Sequence, residues 1–347
     1  MTAQPAAGTG ALLDRPRGRD PLLAVTGLTT SFPDGDGGRV QALDDVSFTV
    51  QAGRTVGIVG ESGSGKSVLL RSILGLVEPP GVVERGDVVF EGVSLTQSSE
   101  AALRRIRGRD ISTVFQNPAG ALNPVVKVGD QFVEAVRLHE RVSRTAAYER
   151  ALALVTDVGF DDAAALMATR PYELSSGVVQ RILIAMALVH GPKLILADEP
   201  TTNLDVTVEA QILDAIARIQ VEYSTTLIIV SHDMGVVSQV SDEIVVMYAG
   251  RIVEHGETAD VLTRPAHPYT RALIESVPTG RITAGTRLPT IPGTPPDLSR
   301  LGPGCAFAER CAYATDRCVV ETPLLVPGAR TLRACHNPLE AVARDHG

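Results

Sequence analysis

Apolar and polar residues alternate near the start of the chain in a way that predicts an antiparallel β region. Residues 22–50 read LLAVTGLTTSF, then the turn-forming PDGDGG, then RVQALDDVSFTV. A period of two places the apolar side chains on one face of a strand, and a Gly/Asp-rich turn joins neighbouring strands. We therefore expect a hairpin-based sheet here.

Three later segments, RTVGIVG, KLILAD and STTLIIVSHD, are short continuous apolar runs. Such runs are typical of strands that are buried on both faces of a parallel sheet. Helical spacing follows the first run in KSVLLRSILGLV and also fills residues 128–168. Alternating strands and helices predict an α/β fold. The apolar spacing beyond Val128 predicts a helical subdomain over about residues 128–180.

Composition divides the chain into three parts. Beyond about Arg264, Pro and Gly become frequent and all four cysteines occur, so we expect a main domain over residues 21–264 and a C-terminal unit over residues 265–347. Residues 1–20 lack the basic-then-apolar order of a secretory signal and are predicted to form a disordered tail.

No apolar run approaches the ~20 residues that cross a bilayer, which predicts a cytoplasmic protein. A net charge of −8 argues against nucleic acid as a partner.

A glycine-rich segment between a predicted strand and a predicted helix has the chemistry of a phosphate-binding loop. GESGSGKS, at residues 60–67, fits G-x-x-x-x-G-K-[ST]. Gly63 and Gly65 let backbone N–H groups turn towards phosphate oxygens, and the helix N-terminus adds partial positive charge. Lys66, one of three lysines, would reach the β- and γ-phosphates, and Ser67 would bind Mg²⁺. A flexible turn or a dinucleotide-type loop is the alternative, but the terminal Lys-Ser favours a triphosphate. The predicted phosphate-binding residues of this segment, called the P-loop below, are Gly60, Glu61, Ser62, Gly63, Ser64, Gly65, Lys66 and Ser67.

Polar residues at the ends of other apolar runs supply the rest of a hydrolytic site. Asp198 ends the run LILAD and would lie beside Mg²⁺, while the adjacent Glu199 would polarise the attacking water. His232, in IIVSHD, could contact the γ-phosphate, and Gln116, in TVFQNP, could sense Mg²⁺ and the water. The alternative for each is a polar residue at a strand end without a chemical role.

With these motifs in this order, residues 22–278 resemble an ABC-transporter nucleotide-binding subunit. The segments that carry the likeness are the P-loop, Gln116 at the Q-loop position, LSSGVVQR at the signature position, LILADE, TTNLD and His232 at the switch position. The resemblance implies that Phe32 stacks on adenine, for which a core aromatic is the alternative. It also implies that ATP lies between one subunit's P-loop and the signature of another.

Two further segments are similar to the ATP-binding subunits of oligopeptide and dipeptide importers. They are RRIRGRDISTVFQNPAGALNPVVKVGDQ and HPYTRALIESVP, and the likeness continues through IPGTPPDLSRLGPGCAFAERC. It implies a D-type ATPase subunit that drives peptide import from the cytoplasmic face of the cell membrane. The partners it implies are a second ATPase subunit of the F-type, two membrane permease subunits and, indirectly, an extracytoplasmic substrate-binding protein. The same group also serves nickel and some glycoside importers.

The signature segment departs from the family pattern L-S-G-G followed by Q or a similar residue. LSSGVVQR keeps Ser175 and Gly177, but Ser176 replaces the first glycine and Val178 the polar residue. In the family these residues hold the γ-phosphate on the partner's P-loop from a helix N-terminus. A Cβ at Ser176 would hinder close backbone approach, although its hydroxyl could add a hydrogen bond. We expect a heterodimer in which this chain's P-loop site hydrolyses ATP while the site facing LSSGV is slower; the alternative is two working sites.

The cysteines are spaced C-x5-C-x6-C-x16-C, unlike the paired C-x2-C of zinc ribbons. They are Cys305, Cys311, Cys318 and Cys335. Clustered thiols in a cytosolic protein suggest a metal rather than disulfides, and spacing leaves zinc, an iron–sulfur cluster and buried thiols open. The resemblance favours a structural [4Fe–4S] cluster, with Zn²⁺ second.

Two functions of other classes compete with import. A soluble ABC-type ATPase of DNA repair or translation would carry basic grooves or a second ATPase domain, and HPYTRALIESVP would have no purpose there. A non-hydrolytic ATP-binding regulator would not need Glu199 and His232.

Overall fold

The structure is a computed structural model that describes residues 20–35, 37–202, 204–277 and 290–339. Apart from Asp20, the predicted N-terminal tail lies outside the described residues. The strands are β1 Leu23–Pro33, β2 Arg39–Val50, β3 Thr55–Val59, β4 Val82–Phe90, β5 Val93–Ser94, β6 Ile111–Val114, β7 Leu194–Asp198, β8 Thr226–Ser231, β9 Glu243–Tyr248, β10 Arg251–Glu257, β11 Val326–Pro327 and β12 Leu332–Arg333. The helices are α1 Lys66–Ile73, α2 Glu100–Ile106, α3 Pro118–Ala121, α4 Val128–His139, α5 Arg144–Asp157, α6 Ala163–Ala168, α7 Ser176–Ala187, α8 Val206–Tyr223, α9 Met234–Val240, α10 Thr258–Thr263, α11 Pro268–Ser276 and α12 Asp316–Val320. Within the described residues, none of these helices is long and apolar enough to cross a membrane.

The smaller sheet is antiparallel and has the strand order β2-β1-β4-β5. β1 and β2 form the predicted hairpin, with Phe32 opposite Val40. β4 pairs with the other edge of β1, a partner that the alternation in β1 and β2 does not predict. Apolar residues of this sheet, including Leu23 and Leu43, are fully buried in one cluster with β3 and α1. The predicted antiparallel region is therefore confirmed, and it lies against the strand and helix that flank the P-loop.

The larger sheet has the order β11-β12-β10-β9-β3-β8-β7-β6. The strands β6, β7, β8, β3 and β9 run parallel. Every residue of β3, β7 and β8 is buried, as the continuous apolar runs predict, and the α/β class is confirmed. Since parallel strands end at the same edge, the residues after β3, β6, β7 and β8 are neighbours, and such an edge is where α/β proteins bind ligands.

The region predicted as a helical subdomain contains α4, α5, α6 and the start of α7. α4 and α5 pack through apolar faces on which Phe132, Val136 and Ala151 are fully buried. α7 begins within this region, and its later residues Ile182 and Ala185 are buried in the same core as the parallel strands. The helix whose first turn carries the signature is therefore anchored in the main core.

Buried hydrogen bonds join the C-terminal unit to the main sheet. β12 pairs with β10, and the fully buried Glu254 accepts hydrogen bonds from the N–H groups of Ala266 (2.8 Å) and His267 (2.9 Å) and from Thr331 Oγ1 (2.9 Å). Burial lowers the pKa of His267 to about 3, so its imidazole is neutral and Nδ1 accepts the N–H of Tyr269 (3.0 Å). The main domain and the C-terminal unit, which differ in composition, therefore share one sheet and one core.

Candidate nucleotide site

The P-loop connects β3 to α1 at the edge where the parallel strands end. Gly63 and Gly65 have φ values of 80° and 100°, in the left-handed region that favours glycine. A Cβ on Gly65 would lie 2.5 Å from the carbonyl oxygen of Ala42, so the smaller sheet also requires glycine there. α1 begins at Lys66, and the loop therefore opens onto a helix N-terminus, where backbone N–H groups favour an anion.

Lys66 is folded back into its own loop. Its Nζ donates hydrogen bonds to the carbonyl oxygens of Gly60 (2.7 Å) and Glu61 (3.0 Å), and the residue is 5% exposed. Burial lowers its pKa, and the negative charges of Glu199, Asp198 and Glu61 oppose that shift. The result is a buried ammonium group inside the phosphate-binding loop, with acidic neighbours that favour its charged form.

Ser67 and Asp198 meet between the P-loop and the end of β7. Ser67 Oγ donates a hydrogen bond of 3.0 Å to Asp198 Oδ1. Burial raises the pKa of Asp198, and the hydrogen bond from Ser67 opposes the shift. A hydroxyl and a carboxylate oxygen are the hard ligands that Mg²⁺ takes when waters and phosphate oxygens complete its shell. The pair therefore fits the predicted magnesium ligands.

Three side chains converge on one carboxylate oxygen, Oε2 of Glu199. Gln116 Nε2 donates to it at 2.9 Å, Thr202 Oγ1 donates to it at 2.8 Å, and His232 Nδ1 lies 3.5 Å away. Glu199 itself has φ 46°, a costly conformation for a residue with a side chain, and its N–H donates to the carbonyl oxygen of Val230. The structure thus brings together the predicted base, Q-loop and switch residues. Thr202 was not predicted, although it lies in the TTNLD segment.

The signature segment presents its two serines to the surface. Ser175 precedes α7 and its Oγ accepts from the N–H of Val178 at 3.4 Å, while Ser176 is exposed. Gly177 is buried, and a Cβ there would lie 2.4 Å from Cγ1 of Val208. Contact with α8 therefore requires glycine at 177 on packing grounds alone. The role of Ser175, Ser176 and Gly177 towards a partner's ATP stays a prediction.

Phe32 lies at the end of β1 beside α1. A Cβ on Gly81 would lie 2.4 Å from Cε1 of its ring, so the ring covers that glycine. Together with Val68 and Arg71 it borders a cavity of about 190 Å³. Phe32 is half-buried, and both the predicted contact with adenine and the alternative of a strand-end core aromatic stay open.

The four cysteines of the C-terminal unit are free thiols that lie near one another. The N–H of Cys305 donates to the carbonyl oxygen of Cys318 at 2.7 Å. Burial raises the pKa of Cys335 to about 12, and charge on Cys305, Cys311 and Cys318 would raise it further. In the part of the chain that the structure describes, however, no group of three or more His, Cys, Asp or Glu side chains is arranged to hold a metal ion. As placed, the thiols are not a ligand set for the predicted cluster or for zinc.

Comparison with known proteins agrees with this geometry. The family model for the ABC transporter matches residues 43–202, and the model for the oligopeptide/dipeptide transporter C-terminal region matches residues 253–318. Among solved structures, the chain is similar to the ATP-binding cassette MJ0796 bound to ADP and Pi, with a TM-score of 0.61, 26% identity, and coverage of 68% of this chain and 98% of that one. It is also similar to cbiO1 of Clostridium perfringens, with a TM-score of 0.60, 27% identity, and coverage of 71% and 92%.

Sequence relatives extend over nearly the whole length. The oligopeptide transport ATP-binding protein OppD of Salmonella typhimurium is 42% identical over 328 residues, which are 94% of this chain and 96% of the relative. The protein of the same name from Bacillus subtilis is 46% identical over 294 residues, with coverage of 84% and 82%. The chain therefore belongs to the family of ABC-transporter ATP-binding proteins that includes these oligopeptide transport subunits, and it is an ABC-type ATPase.

Proposed function

We propose that this chain binds and hydrolyses ATP to drive peptide uptake through partner membrane subunits. The observation that carries the proposal is the convergence of Gln116, Thr202 and His232 on Glu199, beside the paired Ser67 and Asp198. These groups form a water-activating end and a metal-binding end on one sheet edge. The names of the relatives, which are oligopeptide transport proteins, support a peptide as the transported substrate.

The same geometry indicates how the site would act. The P-loop N–H groups and Lys66 would hold the phosphates, and Ser67 with Asp198 would hold Mg²⁺, which supplies positive charge to the β- and γ-oxygens. Glu199 would orient and polarise the attacking water, with its carboxylate held by Gln116. His232, with a side chain 55% exposed at 3.5 Å from Glu199, would contact the γ-phosphate.

The surface position of Ser175 and Ser176 supports contact with a second ATPase subunit, and the Cβ of Ser176 supports a difference between the two ATP sites. In this proposal the second subunit is of the F-type, and its signature completes the site built on this chain's P-loop. The reciprocal site faces a serine with a Cβ where close backbone approach favours glycine, and it would turn over more slowly. Two permease subunits, and indirectly an extracytoplasmic substrate-binding protein, complete the assembly. The chain would then lie on the cytoplasmic face of the cell membrane.

Uptake by the assembled complex tests the function. The complex is reconstituted in vesicles with its substrate-binding protein, and labelled oligopeptide, nickel and a glycoside are supplied in parallel. We expect ATP-dependent accumulation of the peptide, with nickel and the glycoside near background. ATP hydrolysis without peptide uptake, or uptake of only nickel or the glycoside, would contradict the peptide assignment while leaving the ATPase intact.

For the C-terminal unit we propose that the four cysteines hold a [4Fe–4S] cluster, with Zn²⁺ as the alternative. The nearness of the thiols and the family resemblance support this proposal, and burial raises the pKa of the free Cys335 thiol to about 12. Because the thiols as placed are not a ligand set, binding would draw the sulfur atoms together. Anaerobically purified protein should contain about four iron and four acid-labile sulfide per chain. Zinc without sulfide would establish the alternative, and absence of both would overturn metal binding.

A further inference from the structure

An ion pair links the C-terminal unit directly to the P-loop. Arg310 lies in a 3₁₀ turn, Ala308–Arg310. Its Nη1 donates to Oε2 of Glu61 at 2.6 Å and its Nη2 donates to Oε1 at 2.9 Å. The Arg310 side chain is only 6% exposed. A two-bond Arg–carboxylate contact fixes both orientation and distance, and here it joins residues 249 positions apart in the chain.

The guanidinium of Arg310 is itself held in place on several sides. Its Nε donates to the carbonyl oxygen of Pro292 at 2.7 Å, and Nη1 also donates to the hydroxyl of Tyr248 at 3.1 Å. Its central carbon lies 5.8 Å from the ring centroids of Tyr248 and Phe307. An arginine with this many fixed contacts is preorganised, so little entropy is lost when it binds Glu61.

Glu61 is held through its main chain as well as its side chain. Its N–H donates a hydrogen bond of 2.8 Å to the hydroxyl of Tyr269, whose ring packs against Tyr248 and Phe307 at centroid distances of 4.5 and 5.3 Å. Tyr269 belongs to α11 and Phe307 to the cysteine-bearing segment. Groups from outside the loop therefore hold both the N–H and the carboxylate of Glu61.

The backbone of Glu61 in turn orders the rest of the loop. Its carbonyl oxygen accepts from Lys66 Nζ at 3.0 Å and from the N–H of Ser64 at 3.2 Å. We propose that Arg310 is a positioning residue for the P-loop, through which the C-terminal unit sets the affinity for ATP. The inference rests on the proposed function, in which this P-loop binds ATP. In this proposal the Glu61 side chain binds Arg310, and only the Glu61 main chain faces the phosphates.

A double-mutant cycle in the full-length chain tests the link. ATP affinity is measured by equilibrium binding for Arg310→Gln, Glu61→Gln, the double variant and Arg310→Lys. Arg310→Gln should weaken ATP binding about tenfold, which is 1.4 kcal/mol, because the loop loses its anchor and Glu61 keeps an unpaired charge. Arg310→Lys should recover part of the loss. The double variant should be no weaker than Arg310→Gln alone, since both changes remove one contact.

Arg317→Gln is the matched control. Arg317 lies in the same C-terminal unit and also makes a two-bond contact, to Glu321, but at an exposed position. This variant should bind ATP as the wild type does. In the assembled complex, Arg310→Gln should raise KM for ATP while kcat stays within about twofold of the wild type. Partial unfolding of the chain would instead lower kcat.

Each outcome decides between explanations. Unchanged ATP affinity in folded Arg310→Gln, additive losses in the double variant, or an equal loss in Arg317→Gln would overturn the inference. If Arg310→Gln does not fold, Arg310→Lys and Glu61→Gln still report the contact, and unchanged affinity in both would overturn it. Retention of ATP binding by Lys66→Ala would instead mean that the proposed function has failed.

Discussion

Replacing Lys66 by alanine is expected to weaken ATP binding by about 100-fold or more, since a charged hydrogen bond to phosphate in a shielded site is worth several kcal/mol. Within the described residues, the ammonium is buried in the loop and is bonded to loop oxygens, which are the carbonyls of Gly60 and Glu61 and the more distant Ser64 hydroxyl. Phosphate oxygens would replace or join these acceptors. Without the ammonium, the acidic Asp198 and Glu199 would face the triphosphate uncompensated.

Equilibrium binding of ATP to the full-length chain measures this loss. Lys193→Ala is the matched control, because Lys193 is another of the three lysines but is half exposed and bonded to Glu91 on the surface. The control should bind ATP normally. If Lys66→Ala and the wild type bind ATP with similar affinity, the P-loop does not hold the phosphates as proposed.

Local sequence carried most of the information about the sheet edge where the site lies. The continuous apolar runs predict β3, β7 and β8, because a strand that is covered on both faces of the sheet has no solvent-facing side chains. The glycines of the P-loop predict left-handed turns, and Gly63 and Gly65 adopt them. Strand ends place Asp198 and His232 at the same edge, so their nearness follows from topology.

Contacts between distant segments could not be predicted from the same patterns. Nothing near Glu61 in sequence indicates Arg310, and nothing near Glu254 indicates Thr331. Such pairs depend on how the C-terminal unit folds back onto the main sheet, which periodicity does not encode. The spacing of the cysteines likewise predicts a cluster of thiols but not their arrangement. The sequence around Thr202 gives no signal for its contact with Glu199, because a threonine in a loop is usually a turn residue.

Helix α7, which carries the signature, has one feature that the sequence predicts and one that it does not. A serine before an apolar helix predicts an N-cap, and Ser175 is one. The pattern L-S-G-G suggested that Gly177 serves phosphate binding, yet its side of the helix packs against Val208, where a Cβ would lie at 2.4 Å. Glycine here satisfies packing whether or not a partner's phosphate is also bound.

Glu199→Gln should abolish most ATP hydrolysis while leaving ATP binding intact. The amide keeps the shape of the carboxylate but no longer polarises water, and loss of a general base costs about 10² to 10⁴ in rate. The amide oxygen can still accept from Gln116 and Thr202, which both donate to one oxygen of Glu199. Glu275→Gln is the control, since Glu275 is an exposed carboxylate paired with Arg271 on α11.

The most direct test is steady-state ATP hydrolysis by the assembled complex with Glu199→Gln in this chain alone and a wild-type partner. If this chain's P-loop forms the working site, activity should fall to a few per cent or less, in line with loss of a general base, while the Glu275→Gln complex keeps its activity. If most of the hydrolysis survives, the site facing Ser176 turns over well. That result would contradict both the role of Glu199 as the working base and the asymmetry of the two sites.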